Sequence, residues 1–144
     1  MAGHRICGAH IANVAEHYLV DLFVVCRDTE DFGELECMRS LCARVHVVTI
    51  TKLDALKSFL THPFLPLPAA ARSSGRIARE LVAFADATYD LAHFEWTETA
   101  YLATLIPAKH KQIMCHDILS ELFARRSSRS LQYRLFWSWQ MRNA

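Results

Sequence analysis

Residues 89–97 read YDLAHFEWT, and further along the chain residues 111–117 read KQIMCHD. Each is a short apolar run that ends in polar, titratable side chains, after which a helical pattern begins. In an open α/β sheet, ligands bind in the crevice beyond the carboxyl ends of the strands. The two runs therefore predict neighbouring strands whose ends, His93-Phe94-Glu95-Trp96 and Cys115-His116-Asp117, form a ligand-facing edge.

Strand and helix patterns alternate along the rest of the chain. Val20–Cys26 and Arg44–Ile50 are β-favouring runs typical of strands covered on both faces, and helical spacing over 34–43 separates them. This order predicts a βαβ unit within an α/β fold with a doubly wound, Rossmann-like parallel sheet. Further helices are predicted over 5–18, 51–62, 74–87, 97–105 and 118–142.

Length and composition narrow the class of protein. The chain has 144 residues, of which 52% are hydrophobic and 22% charged, which is typical of one soluble globular domain over 1–144. A formal net charge of +1 argues against a general polyanion binder, so we expect no nucleic-acid partner. The 5 cysteines form no CxxC pair, which favours reduced thiols and no metal site. Neither a signal peptide nor a transmembrane run is evident, so a cytoplasmic chain is expected.

Three segments together resemble a known family. Residues 18–48 read YLVDLFVVCRDTEDFGELECMRSLCARVHVV, residues 89–106 read YDLAHFEWTETAYLATLI, and residues 112–126 read QIMCHDILSELFARR. In this order they resemble the second and third strands, the "D-V-V-H-x-E" strand and the "H-D" strand of a family 4 (group 1) glycosyltransferase of the GT-B type. The matching part is the N-terminal half of such an enzyme. Because the pattern opens at the tail of the glycine-rich loop, Gly3-His4-Arg5, the first strand is expected to be missing.

The resemblance implies a function in polysaccharide biosynthesis. Family members transfer a sugar from a nucleotide-sugar to an acceptor in a cleft between two Rossmann-like domains, with retention at the anomeric carbon. The N-terminal domain binds the sugar or lipid-linked acceptor, and the C-terminal domain binds the donor. This chain is thus expected to be the acceptor-binding half without its donor domain, inactive alone, with the nucleotide-sugar as co-substrate and no cofactor or metal. The alternative is a non-catalytic α/β module that binds a small ligand or a partner in the same crevice.

The resemblance also suggests site residues. His116 matches the family's strand-end histidine near the donor sugar and is the expected catalytic residue, with a core histidine as the alternative. Glu95 is expected to bind acceptor hydroxyls, and the indole of Trp96 to stack on a sugar ring; a rim carboxylate and a packed indole are the alternatives. His93 alternates with Glu95, so the two share a strand face, and His93 is expected to be structural.

Three further residues and one helix complete the expectations. Asp117 is a substrate-binding candidate, although capping of the helix that follows is favoured. Gly3 and Arg5 are candidates for binding phosphate or acceptor at a helix N-terminus, although a disordered chain end is favoured. Residues 118–142 combine arginines with tryptophans, which predicts peripheral contact with the inner face of a membrane or, alternatively, packing against the donor domain.

Overall fold

The structure, a computed structural model, describes residues 2–27, 33–62, 70 and 74–114. Its elements, in chain order, are α1 (Ala2–Ala15), β1 (Asp21–Arg27), α2 (Gly33–Leu41), β2 (Arg44–Ile50), α3 (Lys52–Thr61), α4 (Gly75–Phe84), β3 (Tyr89–Glu95), a 3₁₀ helix (Thr97–Leu105) and β4 (Ala108–Met114). Mixed α/β structure is therefore confirmed. The predicted helix over 118–142 lies outside the described residues.

The chain is divided into two compact units, Met1–Thr51 and Lys52–Ala144. Within the described residues each unit holds one two-stranded parallel sheet, β1 with β2 and β3 with β4. Parallel neighbours need a crossover connection, and α2 and the 3₁₀ helix are these connections. The βαβ unit predicted over residues 20–50 is confirmed. A single doubly wound sheet remains a prediction.

The first unit is built on the β1–β2 ladder. Asp21 pairs with Arg44 in register, and Arg44 Nη2 donates to Asp21 Oδ2 at 2.5 Å at the amino ends of the two strands. Cys26, Val48 and Ile50 are buried, but most other residues of these strands are half-buried rather than covered on both faces as predicted. Both strands are edges of the described ladder, which explains the partial exposure.

The second unit places its core between α4, β3 and the 3₁₀ helix. Ser74 is the N-cap of α4, because its Oγ accepts a hydrogen bond from the backbone N–H of Ile77 at 3.3 Å. The buried apolar side chains of this unit are Ala70, Ile77, Leu81, Phe94, Leu102 and Ile106. β4, by contrast, is exposed over residues 109–114. The core therefore lies on the Phe94 face of β3.

Candidate functional site

The carboxyl ends of β3 and β4 lie at the same edge of their sheet. The strands are parallel, and Glu95, the last residue of β3, is opposite Met114, the last residue of β4. This is the geometry that the sequence predicted for the two polar strand ends, up to Met114. His116 and Asp117 follow in sequence but lie outside the described residues.

The turn after β3 has an unusual backbone. Trp96 has φ 76° and ψ 134°, the one positive φ of a residue other than glycine in the described part of the chain. Such a conformation costs an L-residue about 1–3 kcal/mol and persists where surrounding contacts impose it. Strain of this kind clusters at functional sites, which draws attention to the carboxyl end of β3.

Hydrogen bonds on both sides hold this turn in place. The backbone N–H of Trp96 donates to the carbonyl of Met114 at 3.1 Å, which extends the β3–β4 ladder by one bond. Thr99 Oγ1 lies 2.9 Å from the carbonyl oxygens of both Glu95 and Trp96, and the Thr99 N–H donates to Trp96 O at 3.2 Å. The first turn of the 3₁₀ helix therefore fixes the strand end. Sequence reasoning missed Thr99; its signal is a hydroxyl residue three to four positions beyond the strand end.

Glu95 is paired with His93 on the same strand face, as the alternation predicted. His93 Nε2 lies 3.2 Å from Glu95 Oε1, and the two side chains are only 21% and 23% exposed. An ionised carboxylate only accepts hydrogen bonds, so Nε2 carries the proton in this pair. The contact orients the Glu95 carboxylate.

The register of the sheet places polar side chains on this face beside the exposed apolar side chains of Leu91 and Met114. His93 is opposite Gln112, and Leu91 is opposite His110, so both β4 residues lie on the same face as the His93–Glu95 pair. Gln112 and His110 are exposed. Amide, imidazole and carboxylate groups along one strip match the hydroxyl groups of a polyol by hydrogen bonding.

The opposite face of the same sheet carries an exposed ion pair. Lys109 Nζ donates to Asp90 Oδ1 at 2.6 Å. This hydrogen bond and the charge of Lys109 lower the pKa of Asp90, and the same contact raises the pKa of Lys109. Both groups are solvated, so the pair supports the β3–β4 register only weakly.

The remaining predicted site residues lie elsewhere. Gly3 and Arg5 belong to the first turns of α1 rather than to a disordered chain end. Nothing in the described geometry tests a binding role for either. The predicted membrane contact at 118–142 lies outside the described residues. Among the helices of the described ranges, none combines the length and the apolar character that crossing a bilayer requires.

Three comparisons with known proteins found no match. No protein-family model matches the chain, no curated protein matches it, and no solved structure matches it.

Proposed function

We propose that the chain is the acceptor-binding half of a nucleotide-sugar-dependent, retaining glycosyltransferase, and that the acceptor binds at Glu95 and Trp96. The observation that carries the proposal is the turn at the end of β3, where a strained Trp96 follows a carboxylate oriented by His93. This turn lies at the sheet edge where α/β folds bind ligands. The family resemblance of residues 89–106 supplies the class of ligand.

The residues have distinct tasks in this proposal. The Glu95 carboxylate accepts a hydrogen bond from an acceptor hydroxyl, while His93 holds it in place. The indole of Trp96 offers an apolar face to the C–H side of a sugar ring, as aromatic side chains do in amphipathic contacts. His116 keeps its predicted role beside the donor sugar. It stands two positions after Met114 in the sequence, and Met114 is opposite Glu95.

Ligand-observed NMR on the chain tests the acceptor site. We expect saturation transfer to methyl glycosides of common hexoses, with loss of about tenfold or more in affinity in Glu95→Gln, because the variant cannot offer a charged acceptor to a hydroxyl group. Glu16→Gln is the matched control, since Glu16 is exposed and lies just after α1. It should bind as the parent does.

Two results would count against this proposal in different ways. Equal glycoside binding by parent and Glu95→Gln would remove Glu95 from the site. Micromolar binding of a nucleotide-sugar by this chain would contradict the assignment to the acceptor half. If a correctly folded parent binds none of the glycosides, the non-catalytic α/β module becomes the better explanation of the same turn.

A further inference from the structure

Helix α3 has three exposed leucines, whereas its other apolar residues, Ala55 and Phe59, are half-buried. Leu53, Leu56 and Leu60 are 59%, 55% and 69% exposed, whereas Ser58 is buried. The three leucines are spaced by three and four residues and thus form a single line on the helix surface, here called the leucine stripe. A helix on the surface of a globular protein ordinarily turns its leucines toward the core, so an exposed stripe calls for a partner.

One ion pair joins α3 to α4, and local hydrogen bonds lie at the C-terminal end of α3. Arg76 Nη2 of α4 lies 3.5 Å from Asp54 Oδ2, on the side of α3 away from the leucine stripe. At the end of the helix, Thr61 Oγ1 donates to the carbonyl of Ser58 at 3.1 Å, and His62 Nδ1 lies 3.2 Å from the same oxygen. The ion pair places the Asp54 side of α3 toward α4, so the leucine stripe lies away from α4.

Two lysines flank the leucine stripe. At 3.6 residues per turn, Lys52 and Lys57 lie about 70° to either side of its centre, and both are exposed. The only acid of α3, Asp54, is on the other side and is engaged by Arg76. The outward side of α3 is therefore apolar along its middle and positively charged at both margins.

This charge pattern favours some binding partners of the leucine stripe over others. A second copy of α3 would bring its own lysines against those of the first, which is unfavourable. A stable protein interface buries about 800 Å² per partner, and three leucine side chains supply no more than about half of that area. A lipid surface needs neither shape complementarity nor that area, and lysines at the margins of an apolar helix face extend toward lipid phosphates.

We propose that the leucine stripe of α3 binds to the surface of an anionic lipid bilayer. The leucines enter the boundary between headgroups and acyl chains, and Lys52 and Lys57 contact the phosphates. This inference is independent of the sugar site and of the membrane contact predicted at 118–142.

Vesicle co-sedimentation tests the proposal. The probes are phosphatidylcholine vesicles and phosphatidylcholine vesicles with about one third phosphatidylglycerol, compared at low and high salt. We expect the parent to bind the anionic vesicles, more weakly in high salt. Lys52→Gln/Lys57→Gln should lower the low-salt partition coefficient about 25-fold, because each lysine contributes about fivefold. Leu56→Gln/Leu60→Gln should lower it about tenfold or more at either salt concentration.

Two control variants test whether an exposed leucine or lysine outside α3 contributes to vesicle binding. Leu19→Gln removes an exposed leucine of the first unit, and Lys111→Gln removes an exposed lysine of β4. Both should bind as the parent does, and circular dichroism should show all variants folded, since the changed side chains are exposed.

Three outcomes would overturn the proposal. The first is a parent that remains in the supernatant with both kinds of vesicle, which leaves an acidic protein as the charge-complementary partner. The second is equal retention of parent and leucine variant. The third is a concentration-dependent dimer, seen by sedimentation velocity without vesicles and abolished by Leu56→Gln/Leu60→Gln, because the stripe would then bind a second copy.

Discussion

At the scale of single residues, Trp96 determines the shape of the candidate site. Its positive φ, which an aromatic residue does not prefer, occurs together with the hydrogen bond to Met114 and the contacts from Thr99. Glycine adopts this region without steric cost, whereas alanine does not. Substitution of Trp96 by glycine and by alanine therefore distinguishes the effect of backbone strain from the effect of losing the indole.

We expect Trp96→Gly to be more stable than Trp96→Ala by about 1 kcal/mol, the reverse of the usual order. Both lose the indole equally, so the difference between them reports the backbone alone. Denaturant unfolding of the two variants measures it. A more stable alanine variant would mean that the turn relaxes to a negative φ.

We expect the thiol of Cys42 to make the stability of the protein depend on pH in the alkaline range. Burial, and secondarily the negative charge of Asp21, raise the pKa of this thiol from its ordinary value of 9.0. The folded state therefore holds the proton more tightly than the unfolded state. This stabilisation is complete below the ordinary pKa and is lost as the pH rises through the raised value.

We expect the free energy of unfolding to fall above about pH 9 more steeply in the parent than in Cys42→Ala. The variant is less stable overall, because it loses a buried side chain. The quantity to compare is therefore the slope of the free energy of unfolding against pH. Urea unfolding from pH 7 to 10.5 provides the measurement. Parallel curves would assign the alkaline loss to other groups.

At the scale of elements, the first turn of α4 depends on one side chain. Ser74 Oγ accepts the N–H of Ile77, which otherwise has no partner within the helix. We expect Ser74→Ala to cost about 1 kcal/mol of stability. Ser40→Ala is the control: its hydroxyl only donates to the carbonyl of Cys37 inside α2, so alanine there should be neutral or stabilising by up to about 0.5 kcal/mol. Equal effects on thermal unfolding would show that the cap contributes nothing.

Element positions could be predicted where the side chains themselves favour a structure. β2 has the predicted bounds, because Val45, Val47 and Val48 favour a strand. β4 begins at Ala108 rather than at Lys111, since its first residues are polar and exposed and are held by backbone pairing with β3. That pairing is non-local and leaves no local pattern.

In the candidate site, too, one feature could be predicted from the sequence and another could not. Strand alternation predicted that His93 and Glu95 share a face, and their 3.2 Å contact bears this out. The positive φ of Trp96 could not be predicted, because that region is usually occupied by glycine or asparagine. Here it occurs on an aromatic residue, together with tertiary hydrogen bonds.

At the scale of the whole molecule, each unit has its own buried centre. Val48 is 2% exposed in the first unit, and Ile77 is 0% exposed in the second. Truncation of either to alanine should cost about 2 kcal/mol or more. If residues 1–144 fold as the predicted single domain, both variants should lower the midpoint temperature of one common unfolding transition.

Calorimetry of Val48→Ala and Ile77→Ala distinguishes the alternatives. One transition that shifts in both variants agrees with a single domain. Two transitions, each sensitive to one variant, would show that the chain comprises two cooperative units and that the single-domain prediction is wrong.

The parallel pairing of β1 and β2 has a consequence during protein synthesis. β1 finds its hydrogen-bonding partner only after the ribosome has made the whole connection and β2, which ends at Ile50. At about 5–20 residues per second, the Val24-Val25 segment waits on the order of one to several seconds without its neighbour. Slower translation over 28–50 should therefore prolong the interval in which the nascent chain depends on chaperones to avoid aggregation.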